Sequence, residues 1–138
     1  MSSTGVRLPV WRLPARPATI RKVTTVLIVD DNAGFRSMAR KLLEADGFDV
    51  VGEASNGAEA FAAVARLRPD LVLMDVQMPD LDGFEVAEQL GDNGTRPVVV
   101  LTSSRDADSF GGLIERSPVR GFVPKAELSG QRLEALLE

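Results

Sequence analysis

Three uninterrupted apolar runs of strand length constrain this chain more than any other feature: Val26-Leu27-Ile28-Val29, Leu71-Val72-Leu73-Met74 and Val98-Val99-Val100-Leu101. A strand with one wet face alternates polar and apolar residues, whereas a continuous run must bury both faces. That is the position of a central strand in a parallel sheet covered by helices on either side. Two shorter candidates, around Val50-Val51 and Phe122-Val123, suit the outer strands. Pro124 ends the last one at a sheet edge, where a missing N–H does least harm.

Helical spacing fills the intervals. Phe35, Met38, Ala39, Leu42 and Leu43 follow the i, i+3, i+4, i+7, i+8 pattern, and Ala58, Phe61, Ala62 and Ala65 repeat it after Asn56-Gly57. Phe84, Ala87 and Leu90 mark a short third helix, and residues 106–117 and 127–138 supply a fourth and fifth. The fold class expected is α/β, a (βα)5 doubly wound parallel sheet. Three long central strands between two short outer ones fit the strand order 2-1-3-4-5. The fourth helix contains Gly111-Gly112, each costing about 0.8–1.0 kcal/mol relative to alanine. Pro118 bars its extension, so it should be the loosest of the five.

Five of the 16 basic residues (Arg7, Arg12, Arg16, Arg21 and Lys22) lie within residues 1–24, together with Pro9, Pro14, Pro17 and no acid. We therefore expect a basic, proline-containing, disordered extension over 1–24 and one folded domain over 25–138. That domain keeps 11 basic against 20 acidic residues, a net charge of −9. An acidic body repels nucleic acid, so direct nucleic-acid binding is not expected. The chain has neither cysteine nor histidine. Disulfides, thiolate or imidazole metal sites, and Ser/His or Cys/His catalysis are excluded. No apolar run approaches the roughly 20 residues of a membrane span, and there is no apolar segment of secretory type. No membrane insertion and a cytoplasmic location are the expectations.

Sites in such sheets form beyond the carboxyl ends of the central strands. Asp30 and Asp31 follow the first run, Asp75 follows Met74, Thr102-Ser103-Ser104 follow Leu101, and Lys125 follows the last strand. Singly, each of these is an ordinary cap or loop residue. Jointly, three carboxylates, a hydroxyl and an ammonium meet on one edge. Crowded carboxylates need a cation, and hard oxygen ligands favour Mg²⁺. Such a cation with Lys125 would attract phosphoryl oxygens, leaving Asp75 free to act as a nucleophile toward phosphorus.

The blocks Val26–Asp31, Asp75-Val76-Gln77-Met78-Pro79-Asp80-Leu81-Asp82-Gly83, Leu101-Thr102-Ser103 and Gly121-Phe122-Val123-Pro124-Lys125 resemble the response-regulator receiver family of two-component systems. That family has a flavodoxin-like fold, as in the chemotaxis receiver. The resemblance implies that Asp75 accepts a phosphoryl group from the phosphohistidine of a histidine kinase or a phosphotransfer protein. It assigns Mg²⁺ to Asp30, Asp31, Asp75 and the backbone carbonyl of Gln77, with Asp31 the more direct of the acidic pair. Thr102 and Lys125 would bind the phosphoryl oxygens, and Phe122 would be the switch aromatic that turns inward as Thr102 moves. The output implied is a single-domain regulator, not an enzyme on an outside substrate. Its helix 4, strand 5 and helix 5 would present a face to a downstream protein target.

Two residues depart from the family pattern. Ala126 stands where proline commonly follows the lysine, so the Lys125–Ala126 peptide is expected to be trans. Phe122 lacks a tyrosine hydroxyl and can switch by packing alone. Two competing readings make weaker use of the same residues. A phosphatase of the haloacid dehalogenase type would want Asp-x-Asp around its nucleophile, and Asp75 is followed by Val76-Gln77. A scaffold without chemistry would be marked by a degenerate site, and this one is intact.

Overall fold

A computed structural model describes residues 23–92 and 97–138. The expected extension over 1–24 lies outside the described residues except for Val23 and Thr24. The elements alternate from end to end: β1 (Thr25–Val29), α1 (Ala33–Ala45), β2 (Asp49–Ala54), α2 (Gly57–Leu67), β3 (Leu71–Asp75), α3 (Gly83–Asp92) and β4 (Val98–Ser103). A 3-10 turn (Ala107–Phe110) and the single-turn α4 (Leu113–Arg116) follow. Then come β5 (Gly121–Pro124), a second 3-10 turn (Lys125–Glu127) and α5 (Gly130–Leu137). The five strands form one parallel sheet in the expected order, β2-β1-β3-β4-β5.

Strand alternation divides the core into two layers. Leu27, Val29, Val72, Met74, Val99 and Leu101 face α2 and α3, joined by Ala60, Ala63, Val64, Val86, Ala87 and Leu90. Val26, Ile28, Leu71, Leu73, Val100 and Val123 face the other way, onto Ala39 and Leu43 of α1 and Leu133 of α5. Among the described residues, β1 and β3 have no exposed side chain, apart from the partly exposed Thr25. Polar groups on these strands can therefore reach water or a ligand only past the strand ends.

Local signals set most helix starts. Asn32, Asn56 and Ser129 each accept a bond from the N–H three residues on, at 2.8, 2.8 and 3.0 Å. Before α3, Asp82 accepts from Glu85 N (2.8 Å) while the Glu85 carboxylate reaches back to Asp82 N (3.3 Å), a capping box.

Four expectations are corrected. The buried stripe of α2 is Gly57, Ala60, Ala63 and Val64, with Leu67 half-buried; Ala58, Ala62 and Ala65 are exposed and Phe61 is half-buried. The helix is alanine-rich all round, so two stripes compete and the larger Val64 and Leu67 decide between them. Met38 of α1 is 43% exposed, outside the core stripe that Ala39 and Leu43 form. β2 has six residues, as many as β4, and is an edge strand by position, not by length. Its apolar run is broken by Gly52, where an added methyl would stand 2.7 Å from Leu67 Cδ1 of α2, and by Glu53, which pairs with Arg36 and Arg40 of α1. The fourth helix is broken: Gly111, at φ 59° and ψ −128°, separates the 3-10 turn from α4. Only glycine takes that conformation readily. The peptide bonds of the described residues, including Lys125–Ala126, are trans.

The α2 correction has a direct check. Val64→Ala should lower urea stability by about 2 kcal/mol through lost burial and a residual cavity. Ala62→Gln on the exposed face should stay within about 0.5 kcal/mol of the parent.

Candidate functional site

The site residues sit one place beyond the core on a single face of the sheet. Asp30 continues the series Val26, Ile28; Asp75 continues Leu71, Leu73; Thr102 continues Val98, Val100; Lys125 continues Val123. All point toward the α1–α5 layer, at the carboxyl edge where the strand order reverses. Asp75 and Thr102 are register partners on β3 and β4, and Val76 N donates to Thr102 O (3.0 Å).

The charges are close and mostly buried. Asp30 is fully buried, Asp75 is 6% exposed, and Asp31 lies in the open. Carboxylate oxygens of the three can all lie within 4.8 Å of one another. Lys125 Nζ pairs with Asp30 Oδ2 at 2.8 Å and approaches Asp75 Oδ2 at 3.5 Å. Two backbone N–H groups also serve the acids: Asn32 N donates to Asp30 Oδ1 (2.9 Å) and Gln77 N to Asp75 Oδ1 (3.2 Å). The hydroxyl of Thr102 is buried and has no hydrogen-bond partner among the described residues. A buried hydroxyl without a partner costs free energy, so this one is suited to a ligand oxygen.

Electrostatics reflect the crowding. Burial, then the charge of Asp30, pushes the Asp75 carboxyl above its ordinary 3.8; the Gln77 N–H and Lys125 oppose without prevailing. Burial pulls the Lys125 ammonium down, but Asp30 and Asp75 outweigh it and hold it above 10.5. The donor set therefore fits a hard divalent cation. It offers several carboxylate oxygens, no nitrogen or sulfur ligand, and a surplus of negative charge that one lysine only partly offsets.

Three contacts not singled out in the sequence hold this edge in shape. Arg36 Nη1 donates to the Asp30 carbonyl at 2.6 Å while its Nε pairs with Glu53 at 3.0 Å, tying the acidic loop to β2. Asp80 accepts from Gly57 N (2.8 Å) and Ala58 N (3.0 Å), so the loop after Asp75 caps α2. Those N–H bonds, Gly57's first, hold the Asp80 carboxyl below its ordinary range. Gly83 lies against the Asp75 backbone, where an added methyl would stand 2.6 Å from the Asp75 carbonyl oxygen and 3.0 Å from Val76 Cα. Of these, Asp80 and Gly83 belong to the Asp75–Gly83 block, and Arg36 carries no local signal.

On the opposite face of the sheet, Phe122 pairs in register with Leu101 and is half-buried. Its ring lies 5.7 Å from Phe110, which meets Phe84 edge-on at 5.9 Å. Ser103 is buried and its hydroxyl accepts from Arg105 N (3.1 Å), whereas Ser104 is exposed. Every sequence-predicted site residue except Phe122 thus gathers at one edge.

Comparison with known proteins bears on the family and the fold. Residues 26–138 match the response regulator receiver domain. The chain is 33% identical over 120 residues to the transcriptional regulatory protein PdtaR of Mycobacterium tuberculosis, covering 80% of this chain and 58% of that one. It is 46% identical over 79 residues to protein-glutamate methylesterase/protein-glutamine glutaminase 3 of Hahella chejuensis, covering 57% and 23%. The matches thus span only part of these relatives' lengths. The signal receiver domain of the putative response regulator NarL from M. tuberculosis superposes with a TM-score of 0.75 at 27% identity, covering 84% and 98%.

Two stability outcomes follow from this geometry. The raised pKa means Asp75 contributes most to stability when protonated, below 3.8, and that contribution is lost as pH rises through the raised value. Without metal, Asp75→Asn should therefore melt above the parent at neutral pH, with the gap closing in acid. Gly83→Ala should lose about 1–3 kcal/mol or more in urea, because the clash is with backbone that cannot step aside.

Proposed function

Because the chain belongs to the response regulator receiver domain family, we propose that it is a phosphorylation-switched regulator whose phosphoacceptor is Asp75. The observation that carries this reading is the Asp75 carboxylate: buried at the end of a central strand, beside two acids, a lysine and the unpartnered Thr102 hydroxyl. A carboxylate oxygen of Asp75 attacks phosphorus, and the P–N bond of a phosphohistidine breaks with its electron pair returning to the imidazole. The donor is a histidine kinase or a phosphotransfer protein. Catalysis of such a transfer is mainly positioning and charge neutralisation.

Asp30, Asp31, Asp75 and the Gln77 carbonyl would hold Mg²⁺, which supplies positive charge for the phosphoryl oxygens when bound. The chain's own residues do the rest. Lys125 exchanges part of its attraction to Asp30 and Asp75 for a phosphoryl oxygen. Thr102 donates its hydroxyl to another. Movement of Thr102 on β4 toward the phosphoryl group would let Phe122, now 5.7 Å from Phe110 on the opposite face, turn inward. The exposed Leu113 of α4 belongs to the surface, with β5 and α5, that a downstream protein partner would read. Among the described residues no helix is long and apolar enough to cross a membrane. A cytoplasmic protein without direct nucleic-acid contact, and without an outside substrate of its own, completes the reading.

Acetyl phosphate with Mg²⁺ should add one phosphoryl group by intact mass, and Asp75→Asn should abolish the gain. An Asp75→Asn chain that gains the same mass, with the same lability to acid and base, would refute the assignment.

A further inference from the structure

We propose that Phe35 is a positioning residue for Lys125, its ring giving the ammonium an uncharged seat beside Asp75 that speeds transfer to that carboxylate. The inference rests on the phosphoacceptor reading above. Lys125 extends past the end of β5 on a flexible stem, and its ammonium has three neighbours among the described contacts. Asp30 lies at 2.8 Å, Asp75 at 3.5 Å and the centroid of the Phe35 ring at 4.5 Å. The nearest is the fully buried Asp30. Attraction to the carboxylates alone would draw the ammonium toward Asp30 and away from the phosphoacceptor. The face of an aromatic ring attracts a cation without neutralising it, so it can bias where the ammonium rests and still leave its charge available.

The ring is itself well anchored. Phe35 stands in the first turn of α1, and its N–H is bonded to the Asn32 side chain (2.8 Å). Asn32 N in turn bonds Asp30 Oδ1 (2.9 Å), so ring and acidic loop are held by one cap. The Phe35 side chain is half-buried against the α1–α5 core layer. Core packing alone would accept any apolar group of that size, and a leucine there would keep most of the burial while offering no π face.

Phosphorylation rates with acetyl phosphate and Mg²⁺ test this in the full chain and in Phe35→Leu, Phe35→Tyr, Lys125→Met and the Phe35→Leu/Lys125→Met pair. Phe35→Leu should be slower by about fivefold, the scale of a partly desolvated cation–π contact. Phe35→Tyr should run near the parent rate, and the double variant no slower than Lys125→Met. In the unphosphorylated parent, the ring current should move the Lys125 ε-methylene protons upfield of those of Lys41, and Phe35→Leu should remove the shift. Parent-like rates in Phe35→Leu, an equal slowing on the Lys125→Met background, or no upfield shift in the parent would each overturn the inference. A parent chain that takes up no phosphoryl group sinks the phosphoacceptor reading and the rate effect together. The proton shift then decides separately whether the ring holds the lysine.

Discussion

Burial of β1, β3 and β4 on both faces is the constraint on which the rest of the structure depends. These strands pair with a neighbour on each side and are covered above and below, so their side chains from Val26 to Leu101 are almost wholly withdrawn from water. A charged group inside such a strand would be costly. Charges can enter only past the strand ends, as Asp70 does at the amino edge, and at the carboxyl edge strand alternation decides which layer they meet. Asp30, Asp75, Thr102 and Lys125 share one face because each lies an even number of residues beyond a core residue of the same layer. The acidic edge is thus a continuation of the core pattern with polar groups in place of apolar ones.

Concentrating acids there creates a debt of solvation that the fold settles locally. Lys125 answers Asp30 and Asp75, and backbone N–H groups of Asn32 and Gln77 answer one oxygen of each. The balance is incomplete: burial first, then the charge of Asp30, pushes the Asp75 carboxyl up despite the Gln77 N–H and Lys125. An incompletely balanced cluster of this kind is stabilised by added positive charge, whereas a fully balanced one would gain little. Arg36, Asp80 and Gly83 matter for the same reason: they keep the surrounding loops from relaxing to relieve the crowding.

Legibility in the sequence followed how local each signal was. The strands stood out because two-sided burial leaves an unbroken apolar run. The edge residues stood out because they directly follow those runs. The core stripe of α2 is ambiguous in the sequence because alanine at so many positions makes its stripes nearly equivalent, and only docking of Val64 onto the sheet distinguishes them. Over residues 106–117 the glycine pair shows a weak point without showing a break; Gly111 takes a positive φ that no pattern displays. Met38 followed helical spacing, yet its neighbours on α1 already fill the contact with the sheet.

The amino-acid order by itself determined the alternating α/β layout and the set of residues carried to the carboxyl edge, because each is encoded by short-range periodicity. Only the tertiary structure decided how those residues engage one another. Lys125 reaches Asp75 across 50 positions, and Asp80 caps Gly57 across 23. Phe35, to all local appearance a core residue, proves to lie beneath the lysine. Such pairings depend on how separate helices dock on a twisted sheet. That docking sums many contacts over the whole chain, so no single segment encodes it.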